Sequence, residues 1–255
     1  MELSSDRAFL YGDGIFTTMK VTAGQIELWP LHRQRLEQSA IRLGFKPLDM
    51  QHIETILHAA IQCNDHVLKL QVTRGTGGRG YSPAMVQGPA YYVSTADLPN
   101  YQALQTGIHV QIANGYLSRQ PLLAGIKHCS RLETVMLKHE AEQRGAQDLL
   151  ICDSAGVMVE ATAANVFFYR DGQWFTPSVH VAGVDGVMRQ LLKQKLNAID
   201  VSWGLEQLST VQAIGFCSSL LGIVPVMTVA EQTFDANPIR QVQQQLTDWI
   251  KEYRI

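Results

Sequence analysis

Apolar and polar residues alternate over positions 15–21, a turn follows at Ala23-Gly24, and a second short apolar piece occupies positions 26–29. That pattern predicts a hairpin. Beyond Pro30 the spacing changes. In LHRQRLEQSAIRLG the apolar Leu36, Ala40 and Leu43 stand at i, i+4 and i+7, with Gly44 after the last of them and Pro47 just beyond. A helix that stops at the glycine is predicted. A second helical stretch covers positions 50–63. In VLKLQVTR, Leu68, Leu70 and Val72 alternate with Lys69, Gln71 and Thr73, as a half-buried strand requires. Positions 91–95 and 108–112 are further strand candidates.

Positions 117–125 are rich in turn residues and precede a predicted helix over 131–144, whose Leu132, Val135, Met136 and His139 share a face. Short strands follow at 149–152, 157–159, 166–169 and 174–176, separated by turns at 153–156 and at Asp171-Gly172. A helix over 187–196 and an amphipathic helix over 238–253 complete the chain. The pattern is α+β in two domains, 1–115 and 125–255, joined by a linker at 116–124.

Composition removes several classes of function. Among 255 residues, Lys and Arg number 21 against 23 Asp and Glu, a formal net charge of −2. The chain therefore lacks the basic footprint that nucleic acids and anionic membranes select. Its longest apolar runs, at 149–152 and 220–226, are far shorter than the ~20 residues that span a bilayer. The start, MELSSDRAFLYGDG, lacks a charged-then-apolar leader pattern, so the expected location is the cytoplasm. Cys63, Cys129, Cys152 and Cys217 lie tens of residues apart without metal-ligand spacing; reduced, mostly buried thiols and no metal are expected.

Six short islands carry the candidate chemistry: YGDGIFTT (11–18), HRQRL (32–36), RGTGGRGYSP (74–83), GIKHCSRLE (125–133), VEATAANVFF (159–168) and AGVDGVMR (182–189). In this order the set resembles the fold type IV pyridoxal-phosphate enzymes, a family with branched-chain aminotransferase, D-amino acid aminotransferase and 4-amino-4-deoxychorismate lyase branches. RGTGGRGYSP and GIKHCSRLE are most similar to the lyase branch. The resemblance implies a small N-terminal α/β domain, a larger C-terminal pseudo-barrel domain, a homodimer and pyridoxal 5'-phosphate as cofactor. It also implies a reaction, conversion of 4-amino-4-deoxychorismate into 4-aminobenzoate and pyruvate, a step toward folate. An aminotransferase acting on D-amino or branched-chain amino acids is the alternative; a cofactor-binding protein without catalysis is the alternative of a different class.

By the same resemblance Lys127 matches the Schiff-base lysine. An amine attacks an aldehyde only when neutral, so this lysine needs a desolvated setting, whereas composition alone would make it a surface charge. Glu160 matches the acidic partner of the pyridine nitrogen; the small residues 161–164 after it would let a planar ring approach the backbone. Asn165 shapes the same turn or takes part in catalysis. Arg35 matches the phosphate-facing arginine, or is a helix-surface charge beside Arg33. Gly186, Val187 and Met188 open a helix whose first N–H groups can meet an anion, or form a plain cap. Ser219 falls where the family often places a hydroxyl on the phosphate. Arg79 and, two positions on, Tyr81 match the substrate-carboxylate region, the two sharing a side if the segment is extended; a flap arginine is the plainer reading. Thr18 matches a threonine of the lyase branch that can deliver or orient a proton at the substrate, and Tyr11 lines the pocket of the partner subunit or simply packs. Arg131 stands near the place where branched-chain aminotransferases have a tyrosine; the roles of Arg131, His128 and Cys129 stay open.

Overall fold

The computed structural model describes residues 3–253, and within them the chain forms two compact units. Unit 1 takes the chain up to Leu98, the short segment Ile126–Arg131 and Tyr253; unit 2 takes Pro99–Gly125 and Leu132–Glu252.

Unit 1 begins with a short helix α1 (Arg7–Tyr11), then β1 (Gly14–Thr22), β2 (Gln25–Ile26), α2 (Trp29–Arg42), α3 (Met50–Ala59), β3 (His66–Thr73), the small ribbon β4 (Thr76–Gly77) with β5 (Val86–Gln87), and β6 (Ala90–Asp97). The main sheet has the order β2-β1-β3-β6, antiparallel throughout. Strict alternation on β1 turns Ile15, Met19 and Val21 to one face, and on β3 it does the same for Leu68, Leu70 and Val72. That face packs on Leu36 and Ala40 of α2 and on Ile53 and Leu57 of α3. The expected hairpin forms, but β2 is only two residues long because Leu28 turns into the left-handed region (φ 58°) and Trp29 starts the helix, with Pro30 in its first turn. The second helix ends at Ala59, short of the expected Cys63.

Unit 2 contains β7 (Ile108–Ile112), α4 (Leu132–Gln143), β8 (Asp148–Cys152), β9 (Met158–Ala161), β10 (Asn165–Arg170), β11 (Gln173–Pro177), α5 (Val187–Lys195), β12 (Ile199–Val201), β13 (Ala213–Ser218), β14 (Gly222–Val229), β15 (Gln232–Thr233) and α6 (Asn237–Lys251). Six strands run β10-β13-β14-β7-β8-β9, and the Asn165–Glu160 pairing of β10 with β9 closes them into a barrel. β11 and β12 extend from β10, and β15 from β14. The inner face pools side chains from all six strands, among them Val110, Leu150, Met158, Phe168, Phe216 and Val224. The outer residues Leu149, Ile151 and Val159 pack on Leu137 and Ala141 of α4.

Strands β13 and β14 escape the alternation test because they are buried on both faces: AIGFCS has five buried residues in succession and IVPV four. The two units also depart from the expected division at 116–124. Residues 99–125 belong to unit 2, where β7 pairs with β14 and β8. The lysine-bearing segment belongs to unit 1, where Ile126 enters the core. On α4 the face shared by Leu132, Val135 and Met136 is exposed. Of the four free cysteines, Cys152 and Cys217 are buried, Cys129 is half-buried and Cys63 is exposed. No helix of the described residues is long and apolar enough to cross a membrane, and they hold no cluster fit for a metal ion.

Candidate active site

In unit 1 the segment carrying Lys127 is held as an extra strand against the start of β1. The Phe16 N–H donates to the Lys127 carbonyl (3.0 Å), and the Cys129 N–H donates to the Gly14 carbonyl (2.8 Å). Close approach explains the glycines of YGDG: a Cβ on Gly12 would lie 2.0 Å from the Ser130 hydroxyl oxygen. The Lys127 amine is half-buried and sits 4.8 Å from the centre of the Phe16 ring. Thr18 shares the Phe16 face of β1, opposite to the core face. Arg131, whose role the sequence left open, holds this segment: its guanidinium donates to the His128 carbonyl (2.8 Å) and the Ile126 carbonyl (3.1 Å), on either side of Lys127. Burial, then the charges of Arg131 and Lys127, lower the His128 pKa to about 4, so the imidazole beside the lysine is neutral near pH 7. Burial pushes the Cys129 thiol up.

On the core face of β1, Thr17 meets α2. Arg35, 6% exposed, donates to the Thr17 hydroxyl (2.8 Å), and the same oxygen lies 2.5 Å from Nδ1 of the fully buried His32. Burial, then the Arg35 and Lys127 charges, hold the His32 pKa well below its usual value. Arg35 is thus no surface charge: the 29, 32, 35/36, 39/40 spacing buries it. His32 is a site-region residue that sequence reasoning passed over, although its i, i+3 relation to Arg35 was visible.

A separate group lies on the loop between β4 and β5. Tyr11 and Tyr81 meet edge to face at 5.3 Å, and Arg79 and Tyr81 are exposed. The segment is not extended, as the shared-side argument for Arg79 and Tyr81 supposed: the Ser82 N–H donates to the Arg79 carbonyl (3.2 Å) and closes a turn.

In unit 2, Glu160 on β9 is buried, and its carboxylate accepts the Val184 N–H (2.8 Å). Asn165, across the sheet from it, donates to the Val184 carbonyl (2.8 Å). Both side chains therefore hold Val184, through the two successive peptides on either side of its Cα, in the turn that leads into α5. Gly183 in this turn has φ +82°. Gly186 is the N-cap of α5, which has no side-chain cap and no acidic residue in its first turn; Val187 and Met188 begin the helix, buried. A helix start with this makeup can take an anion on its N–H groups. Ser219 lies in the tight turn between β13 and β14.

Comparison with known proteins agrees with this arrangement. Residues 14–229 match the family described as amino-transferase class IV. The chain is 34% identical to the aminodeoxychorismate lyase of Vibrio harveyi over 88% of its own length and 86% of that protein. It is 26% identical to the D-alanine aminotransferase of Bacillus licheniformis, over 89% of this chain and 83% of that one. The crystal structure of 4-amino-4-deoxychorismate lyase from Pseudomonas aeruginosa superposes with a TM-score of 0.87 at 34% identity, covering 96% of this chain and 93% of the other. The matched residues span both units and include Lys127, Arg35, Glu160 and the turn before α5, and on that extent of agreement the chain belongs to the amino-transferase class IV family.

Proposed function

We propose that the protein uses pyridoxal 5'-phosphate to convert 4-amino-4-deoxychorismate into 4-aminobenzoate and pyruvate, a step toward folate. One observation carries the lyase reading over an aminotransferase reading: identity to the lyases of Vibrio harveyi and Pseudomonas aeruginosa is 34%, against 26% for the D-alanine aminotransferase over a similar share of the chain.

The residues present fit the cofactor. Lys127 supplies a half-buried amine, Arg35 a buried guanidinium for phosphate oxygens, Glu160 a buried carboxylate for a protonated ring nitrogen, and α5 an uncapped N-terminus at Gly186, Val187 and Met188, with Ser219 as a further hydroxyl. A Cβ on Gly183 would lie 2.5 Å from Val159 Cγ1 and 3.2 Å from Glu160 Oε2, so only glycine leaves that carboxylate in place. When bound, the cofactor supplies an aldehyde for an amine and a ring that accepts an electron pair.

Lys127 Nζ is the base that takes the proton from the substrate carbon bearing the amine. Loss of that proton, with departure of the enolpyruvyl oxygen from the ring, aromatises the ring; the enolpyruvate takes up a proton and becomes pyruvate. Thr18 Oγ1 delivers the proton to the leaving group. The neutral His128 imidazole adds no second positive charge beside the lysine. Arg79 and Tyr81 meet the substrate carboxylates, with Tyr11 against Tyr81. The protein acts as a cytoplasmic homodimer in this reading, which the exposed Leu132, Val135 and Met136 support, since a monomer rarely leaves such a stripe uncovered.

The test is pyruvate release from 4-amino-4-deoxychorismate by protein saturated with cofactor and given no amino acceptor, for wild type and Lys127→Ala. Pyruvate from wild type alone supports the proposal. Turnover that requires an oxo-acid acceptor and an amino acid donor would make the protein an aminotransferase.

A further inference from the structure

Arg7 takes no part in the chemistry above, yet it is 4% exposed and its side chain is engaged on nearly every side. Its Nε donates to Asp13 Oδ2 (2.8 Å), NH1 donates to the carbonyls of Gly80 (3.0 Å) and Ser82 (3.2 Å), and NH2 donates to the carbonyl of Tyr81 (3.0 Å). Its own N–H donates to the Gly75 carbonyl, where the loop begins (2.9 Å). The guanidinium lies 5.0 Å from the centre of the Tyr11 ring, which in turn meets Tyr81. The helix that carries Arg7 is itself anchored: Asp6, its N-cap, accepts from Ala8 N–H, from the Thr73 hydroxyl and from the Tyr92 hydroxyl.

We infer that Arg7 is a positioning residue for substrate selection, holding the β4–β5 loop in the one conformation that presents Arg79 and Tyr81. The loop has little else to define it. Gly77, Gly78 and Gly80 all have positive φ, the ribbon at its base is two residues per strand, and Arg79, Gly80 and Tyr81 are exposed. A glycine-rich segment of this kind samples many conformations unless outside contacts choose one. Three consecutive carbonyls on one buried, planar guanidinium make that choice, because the fork fixes their mutual directions. A lysine at position 7 keeps the ion pair with Asp13 but cannot reach three carbonyls in that geometry.

The inference rests on the proposed role of Arg79 and Tyr81, and the experiment separates the two. Arg7→Lys is compared with wild type for amide hydrogen exchange of residues 76–87 in the cofactor-saturated protein, and for KM and kcat of pyruvate release. Exchange in the loop should rise at least about tenfold while β1 and β3 stay protected. KM should rise roughly 10- to 100-fold, the scale of losing hydrogen bonds to a charged group, with kcat changed by less than about threefold. In an Arg79→Ala background the same substitution should add little to KM, since the side chain being positioned is gone. Unchanged loop exchange in Arg7→Lys overturns the inference, as does a fall in kcat with KM unmoved. A wild type that releases no pyruvate refutes the proposed function, and the exchange result still decides whether Arg7 holds the loop.

Discussion

Replacing Gly183 with alanine tests whether the turn before α5 exists to hold Glu160. Two separate effects act there. At φ +82° a Cβ is sterically disfavoured, by roughly 1–2 kcal/mol for an L-residue. The added methyl would also lie 2.5 Å from Cγ1 of Val159, which is 3% exposed and packs on α4, so Val159 cannot swing into solvent. Crowding of a buried site of this kind costs about 1–3 kcal/mol. Gly156 separates the two effects: its φ is +79°, but an added Cβ there meets nothing within 4 Å. Gly156→Ala therefore carries the backbone strain alone. At about 2–4 °C per kcal/mol for a chain of this size, Gly183→Ala, with both costs and a loss of about 2–5 kcal/mol, should melt about 4–20 °C below wild type, and Gly156→Ala, with about 1–2 kcal/mol, about 2–8 °C. Cofactor affinity gives the second readout. The new methyl would approach Glu160 Oε2 to 3.2 Å, the atom that accepts the Val184 N–H. Displacing it should weaken pyridoxal-phosphate binding roughly tenfold or more, the scale of one hydrogen bond to a charged group, while Gly156→Ala binds as wild type. Equal melting losses in the two variants, or unchanged cofactor affinity in Gly183→Ala, would refute the reasoning.

Thr18→Val keeps the shape of the side chain and removes the hydroxyl, so kcat of pyruvate release should fall roughly 100-fold with KM little changed; an unchanged kcat rules out proton delivery from this residue. Arg35→Gln should raise the dissociation constant for pyridoxal phosphate by about 100-fold in an absorbance titration, with Arg35→Lys intermediate because a lysine offers charge without the fork. Stability should fall as pH drops from 6.5 to about 4. The unfolded chain there binds protons at His128 and His32 that the folded chain refuses, since burial lowers both. His128→Asn should flatten the slope of the urea midpoint against pH over that interval, and a variant with the wild-type slope would show that His128 is not a source of it.

What could be read from the sequence, and what could not, divides by the range of the interaction. The helix α2 and the strands β1 and β3 each show one covered face, so periodicity reveals them, and Leu36, Ala40, Leu68, Leu70 and Val72 are in the core as their spacing requires. Closure of the barrel erases that signal in β13 and β14, because a strand with a packed interior on one side and helices on the other has no polar face to alternate with. The domain boundary fails for a related reason. Residues 116–124 have the composition of a linker, but Leu117 and Gln120 bond to Cys152 and Val181 of unit 2, while Phe16 N–H donates to the Lys127 carbonyl and Gly14 accepts from Cys129 N–H, which puts the next segment in unit 1. The same division applies within the candidate site. Lys127, Glu160 and the start of α5 each stand in a short run of characteristic neighbours, whereas Arg7 lies outside any such run and Arg131, inside one, has no neighbour that marks its role. Their work is done on carbonyl oxygens, which every residue has, so no residue type at the receiving end marks them. In Arg131 the carbonyls are only three and five positions back, at His128 and Ile126, and in Arg7 they are more than seventy positions on. An arginine whose donors go mainly to backbone carbonyls therefore leaves its role unmarked in the sequence at either range: Arg7, buried, holds the β4–β5 loop, and Arg131, half-buried, holds the segment around Lys127.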